Sequence, residues 1–205
     1  MPAPGRAAAA VSDADDEALM LAYAAGDAAA FDALYARHRG GVYRYLVRQC
    51  GTTAADELFQ DVWMSVIRAR GTYAPTAKFA TFLYRIARNR LVDHWRANGH
   101  RGLVVVGGAG DPDADDDPFA GIPAPSTDEP EARASLHELG QRLRAAVASL
   151  PSAQREAFLL QHEGGLSLAE IAELTGAGVE TVKSRLRYAL DKLRAVLAPL
   201  REDLR

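Results

Sequence analysis

Two clusters of residue types in this chain suit contact with a polyanion. The first lies in the stretch Leu166 to Leu197, where Glu180, Thr181, Ser184, Arg187 and Tyr188 recur on one side of a helical pattern and Lys183 and Arg185 flank it. Short donors at the start of such a helix reach base edges in the major groove, and Lys or Arg beside them neutralises phosphate or pairs with guanine. The second cluster is YAPTAKFATFLYRIARNRLVDHWR, residues 73–96. Steps of three, four and seven place Arg85, Arg88, Asn89 and Arg96 in one broad helical sector, with Lys78 and Tyr73 in the loop before it. Cations interleaved with aromatics (Tyr73, Tyr84, Trp95) suit a single strand, whose phosphates need charge and whose unstacked bases need flat partners. Phe79, Phe82 and Trp95 are read as core instead. Asn89 has two readings that the spacing leaves open, base contact and satisfaction of backbone groups within the helix packing.

A third face is of opposite character. In DELFQDVWMSVIR, from Asp56, the residues Leu58, Phe59, Val62, Trp63, Val66 and Ile67 form a buried stripe. Asp56, Glu57, Gln60, Asp61 and Met64 share the remaining face. An acidic, amide-bearing face on a basic domain is ill suited to DNA, and two readings stay open: a dock for a basic protein partner, or a solvated surface.

Other chemistry is not supported. The chain has no phosphate-binding glycine loop, no GxGxxG and no paired Cys/His spacing. His38, His94, His100, His137 and His162 are scattered and read as surface or capping residues. No catalytic residue, metal ligand or cofactor is assigned, and the chain is not read as an enzyme.

The elements that must hold these faces are helices. The net charge of −3 conceals four blocks: −5 over residues 1–34, +8 over 35–101, −8 over 102–132 and +2 over 133–205. A basic block, an acidic block and a mildly basic block in series predict two modules and a tether. The tether, residues 99–130, holds Gly107-Gly108, Asp115-Asp116-Asp117-Pro118 and Pro123-Ala124-Pro125, a composition that buries little and resists helix formation. Its one apolar run, Leu103 to Val106, is expected to be weakly ordered.

Helices are predicted over Asp16 to Ala25, from the cap Asp27 through Leu46, over Ala54 to Arg70 and over Phe79 to Ala97. Downstream, Glu131 to Ser149 (stripe Leu136, Leu139, Leu143, Ala146, Val147) and Ser152 to His162 precede two further helices. Ser167-Leu168-Ala169-Glu170 has the form of a capping box, and Gly176-Ala177-Gly178 is a turn of helix-turn-helix length. The last helix is expected to bury Val179, Val182, Leu186, Leu190, Leu193 and Leu197.

The fold class is therefore all-α: two small helical domains joined by a flexible acidic linker, the second containing a helix-turn-helix. The bounds read 1–15 for a disordered tail, 16–98, 99–130 and 131–200. Of 205 residues, 48% are hydrophobic and 25% charged, ordinary for a soluble globular chain. No apolar run approaches the roughly 20 residues that span a bilayer, and that of Met1 to Val11 is too short for a secretory segment. The single cysteine, Cys50, cannot pair within the chain, so a reducing cytoplasm is the expected setting.

Four stretches occur in an order that resembles the extracytoplasmic-function (ECF) group of bacterial RNA polymerase sigma factors, of the sigma-70 family. They are GDAAAFDALYARH at Gly26, DELFQDVWMSVI at Asp56, ATFLYRIARNRLVDHWR at Ala80 and LPSAQREAFLLQHEGGLSLAEIAELTGAGVETVKSRL at Leu150. The resemblance implies a factor that binds core RNA polymerase and directs promoter recognition, DNA melting and transcription initiation, for a stress or envelope-signal regulon. It implies core binding by the Asp56 stretch, capture of the melted −10 element by the Ala80 helix and its loop, and reading of the −35 duplex by the Val179 helix. It also implies an anti-sigma partner and a linker that threads the polymerase. Two positions depart from the family pattern: Tyr188-Ala189-Leu190 stands where Arg-Ala-Arg is frequent, and Gly178 stands where Ser is common. The competing reading is a stand-alone helix-turn-helix regulator of duplex operator DNA, which would need neither the Asp56 face nor the basic helix.

Overall fold

The computed structural model describes residues 14–99 and 130–203. Residues 1–13 of the expected N-terminal tail and nearly all of the acidic linker, Leu103 to Val106 included, lie outside the described residues, as do the side chains of Leu136, Leu139 and Leu197. The described residues form helices and turns, with no strand among them.

The helices are α1 (Asp16–Ala24), α2 (Ala28–Cys50), α3 (Thr52–Ala69), α4 (Phe79–Ala97), α5 (Pro130–Ala148), α6 (Ser152–His162), α7 (Leu168–Thr175) and α8 (Val179–Asp203). The predicted limits of α4 and α6 coincide with those observed. The Asp27 carboxylate caps α2 by accepting from the Ala29 N–H at 3.0 Å. α3 begins two residues before the Ala54 predicted: Gly51 alone turns the chain, at φ +81°, and Thr52 and Thr53 are already helical.

The first four helices share one apolar core. α2 contributes Leu34, Val42, Tyr45 and Leu46, α3 Leu58, Val62, Trp63 and Val66, and α4 Phe79, Leu83, Ala87 and Leu91. Leu19 and Met20 of α1 close one end. A chain of rings, Tyr23 on Phe31 at 4.9 Å and Tyr35 on Trp63 at 4.9 Å, ties α1, α2 and α3 together. Ile67, expected in the α3 stripe, is half-buried. Three polar contacts fix α1: Asp16 accepts from Arg37 at 2.7 Å and pairs with His38 at 2.6 Å, and Glu17 caps α4 by accepting from the Phe79 N–H at 2.6 Å. His38 is thus a structural partner. Those bonds to His38 and Arg37 outweigh partial burial and hold the Asp16 carboxyl below its usual range.

The last four helices pack around α8. Ala146 and Val147 of α5, Ala157, Leu159 and Leu160 of α6, and Ile171, Ala172 and Leu174 of α7 close on Val182, Leu186, Ala189 and Leu193. The α8 stripe differs from expectation at three positions. Val179 is exposed, Leu190 is half-buried, and Ala189 is fully buried. Val179 is the first residue of α8 and 45% exposed, whereas the small Ala189 is shut off from solvent among the helices packed on α8.

The two groups of helices touch. α2 contacts α5 and α6, and side chains of α4 and the residue before it reach α6 and α7.

Candidate nucleic-acid interface

The helix-turn-helix is built by local chemistry. The Ser167 hydroxyl accepts from the Glu170 N–H at 3.3 Å, while the Glu170 carboxylate accepts from the Ser167 N–H at 2.8 Å and from its hydroxyl at 2.6 Å. Partial burial would raise the Glu170 carboxyl, but these bonds, one from Thr81 and the Lys78 ammonium outweigh it and bring it down to about 2. Gly176, left-handed at φ +69°, ends α7, and its N–H donates to the Ala172 carbonyl. α8 then starts with Glu180, Thr181, Lys183, Arg187 and Tyr188 exposed and with Ser184 and Arg185 partly exposed. All seven residues of the expected face therefore lie away from the buried stripe. Tyr188 is 54% exposed, and the Arg187 guanidinium lies 5.1 Å from its ring centre.

On α3, Asp56, Glu57, Gln60, Asp61 and Met64 are all exposed, and the Asp56 carboxylate accepts from the Tyr43 hydroxyl at 2.9 Å. This stripe lies opposite the residues that α3 buries.

The basic helix is assembled differently from expectation. Asn89 and Arg96 are exposed, Arg96 lying 3.6 Å from Asp93 on its own helix. Tyr84 is buried, its ring edge-on to Tyr45 at 5.3 Å, so it is no stacking platform. Burial and the nearby Glu163 carboxylate hold its phenol well above the usual range. Tyr73 is half-buried with its ring edge-on to Phe82 at 5.2 Å, and Phe79 is core, as predicted. The cations of this face are already engaged. Arg85 contacts Glu173 at 2.8 Å, Arg88 contacts Glu156 at 2.9 Å and Lys78 stands 3.8 Å from Glu170, while the Thr81 hydroxyl donates to Glu170 at 2.7 Å. Beside them, Glu163 accepts from Arg44 at 2.9 Å and from Arg48. Every one of these acids belongs to the second group of helices, and none was singled out from the sequence for such contacts.

Cys50 is half-buried, and desolvation pushes its thiol up to about 12, leaving it protonated with the Leu46 carbonyl as acceptor at 3.2 Å. Among the described residues, no group of three or more His, Cys, Asp or Glu side chains could hold a metal. None of the described helices is long and apolar enough to cross a membrane.

Comparison with known proteins agrees with this architecture. Residues 34–101 match Sigma-70 region 2, and residues 140–193 match Sigma-70, region 4. The RNA polymerase sigma factor CarQ of Myxococcus xanthus is 31% identical over 172 residues, spanning 83% of this chain and 91% of that protein. The ECF RNA polymerase sigma factor SigL of Mycobacterium tuberculosis is 32% identical over 179 residues, spanning 86% and 94%. In fold, the chain is similar to CnrH, solved with the cytosolic domain of CnrY (TM-score 0.58, 24% identity, 90% of this chain and 97% of that one). It is also similar to the sigma factor RpoE of Bartonella quintana, solved with the anti-sigma factor NepR (TM-score 0.58, 21% identity, 82% and 96%). The chain belongs to the ECF group of RNA polymerase sigma factors, which direct promoter-specific transcription by binding core polymerase and promoter DNA.

Proposed function

We propose a division of labour among the three faces. The module of residues 16–98 holds core polymerase through Asp56, Glu57, Gln60, Asp61 and Met64, and it takes the melted −10 strand on Tyr73, Lys78, Arg85, Arg88, Asn89 and Arg96. The module of residues 131–200 reads the −35 duplex through Glu180, Thr181, Lys183, Ser184, Arg185, Arg187 and Tyr188. The observation that supports this most is the combination, on one chain, of a capped helix-turn-helix with an exposed polar reading face and a separate acidic stripe unsuited to DNA.

The protein supplies recognition and strand capture, and the polymerase supplies the chemistry, so the chain itself is read as non-catalytic. Its place of work is then the cytoplasm, beside core polymerase and the chromosome. An anti-sigma protein is a fitting regulator, since the solved relative RpoE is held by one. Run-off transcription with core polymerase and genomic fragments tests the whole reading. Discrete transcripts that require the protein are expected. Specific duplex binding with no polymerase-dependent transcript would favour the stand-alone regulator.

A further inference from the structure

α4 begins without a cap of its own. Its first turn leaves N–H groups free, and the residue before it, Lys78, carries an ammonium, which donates and cannot accept. A cation there also faces the positive end of the helix dipole. α2 and α7, by contrast, carry their own caps, Asp27 and Ser167. For α4 the acceptor comes from α1, 62 residues back in the chain: the Glu17 carboxylate takes the Phe79 N–H at 2.6 Å. The cap position is thereby left to a cation whose side chain is 66% exposed. α1 also reaches the other end of the loop 71–78, where the Arg70 guanidinium lies 5.6 Å from the Tyr23 ring centre. Six residues, about 9 Å of helix, separate Glu17 from Tyr23. Between these two ties the loop holds itself with little. The Thr72 N–H donates to the Ala69 carbonyl at 3.0 Å and the Thr76 N–H to that of Ala74 at 2.8 Å, and Ala74 to Lys78 are all exposed. Tyr73 is turned inward. Its ring lies 5.2 Å from Phe82 and 6.4 Å from Phe79, its hydroxyl is buried, and burial first, then the Glu17 and Asp16 carboxylates, holds its phenol above the usual range. α1 is itself anchored: Arg37 of α2 donates to the Ala14 carbonyl at 2.7 Å as well as to Asp16, and the ring of His38, which pairs with Asp16, lies 5.3 Å from that of Phe79.

We infer that α1 is the positioning element of strand capture: Glu17 and Tyr23 hold the two ends of the loop 71–78, so that Tyr73 and Lys78 are in place when the displaced base arrives. The inference rests on the assignment of this loop and of α4 to the melted −10 strand, and it adds to that assignment a positioning residue, Glu17, that acts through the Phe79 N–H and not by touching DNA. A loop fixed at both ends before the strand arrives loses less conformational entropy on capture. That saving counts during opening, when capture must offset the cost of unstacking and unpairing each base. On DNA that is already open the cost is gone, and a loosened loop is tolerated.

Run-off transcription by the full-length protein with core polymerase tests this on two templates: a duplex promoter, and the same promoter with its −10 region mismatched and so already open. Glu17→Ala removes the acceptor, whereas Glu17→Gln keeps an oxygen that accepts from Phe79. Asp27→Ala removes a helix cap from α2 instead and controls for lost stability. Arg85→Ala with Arg88→Ala reports whether α4 takes part in opening at all. A several-fold loss by Glu17→Ala on the duplex, with near-parental transcription on the open template and by Glu17→Gln on both, supports positioning. Parental transcription by Glu17→Ala on the duplex overturns it. So does an equal loss on both templates, an equal loss in Asp27→Ala, or a Glu17→Gln variant as defective as Glu17→Ala. In each of those cases the strand assignment stands if the double arginine variant loses transcription on the duplex. If that variant is parental there, the assignment of α4 falls, and the positioning role with it.

Discussion

Arg187 carries its guanidinium over the Tyr188 ring, and both side chains are exposed on α8. The ring restricts the long side chain before DNA arrives, so less rotamer entropy remains to be lost on pairing with a base edge. Arg187→Ala is expected to weaken binding to the cognate upstream element by about 1–3 kcal/mol and to relax selectivity at one position. Binding to a panel of upstream sequences with single substitutions checks this, and an equal loss on all of them would reassign Arg187 to phosphate. On the acidic face the expected effect is the reverse of a DNA effect. Asp61 is exposed, and its side chain is not part of the packing of α3. Asp61→Arg should leave the helical circular dichroism unchanged and weaken capture of core polymerase. Pull-down at parental efficiency would exclude this stripe as the docking face.

At the scale of elements, most of the chain was legible before the structure. Ser167 with Glu170 announces the start of α7, Gly176 its end, and the apolar steps of α3 its buried side. Each signal is local, since caps and periodic stripes are written within one or two turns of helix. The misses were also physical. Val179 satisfies the α8 period but stands at the very start of the helix and is 45% exposed; Ala189 is fully buried, and a reading of large apolar steps passes over so small a residue. Tyr84 looked like a platform because its neighbours are cationic, yet it packs between α2 and the loop after α6.

The capping box gives a prediction at this scale. Ser167→Ala should cost about 1 kcal/mol of stability. Glu170 adds a pH dependence of known sign. Its folded carboxyl lies at about 2, below its ordinary value of 4.5, so its contribution is complete above about 4.5 and is lost as pH falls toward about 2. Denaturation across that window should show a steeper loss for the parent than for Glu170→Gln, which cannot titrate. Parallel curves would show that the box and its Thr81 and Lys78 contacts do not stabilise the fold through charge.

For the whole molecule, the junction between modules was the part that sequence reasoning did not reach. Its partners lie 68 to 119 residues apart, and an ion pair at that separation leaves no period to detect. One trace was present: Gly40-Gly41 in the middle of a long helix, where glycine costs up to about 1 kcal/mol relative to alanine. Gly41 is needed because its Cβ would meet the Glu163 carbonyl oxygen at 2.8 Å and the Tyr84 hydroxyl at 2.9 Å. Gly41→Ala therefore improves α2 and forces the loop at Glu163 to retreat. Small-angle scattering should show a more extended protein with no loss of helix content; an unchanged radius of gyration would mean that the loop yields locally and the junction tolerates the methyl.

The same junction changes what a strand-opening experiment should show. Arg85 and Arg88 are proposed phosphate contacts, and they are also two of the cations that hold the modules together. Arg85→Ala with Arg88→Ala removes both functions. With core polymerase and promoter DNA, the parent should expose unpaired thymines to permanganate near the start site. Capturing a displaced base must offset a few kcal/mol of lost stacking and pairing. Without the two arginines that capture is weaker, so permanganate reactivity should fall. Binding to the −35 element is assigned to α8 in the proposed division of labour; the substitutions do not touch α8, and a looser junction frees the second module to reach its duplex. Upstream binding should therefore hold or rise while melting falls, a divergence that general misfolding cannot produce. Normal melting by the double variant would remove α4 from strand opening and leave its arginines a structural role toward Glu156 and Glu173.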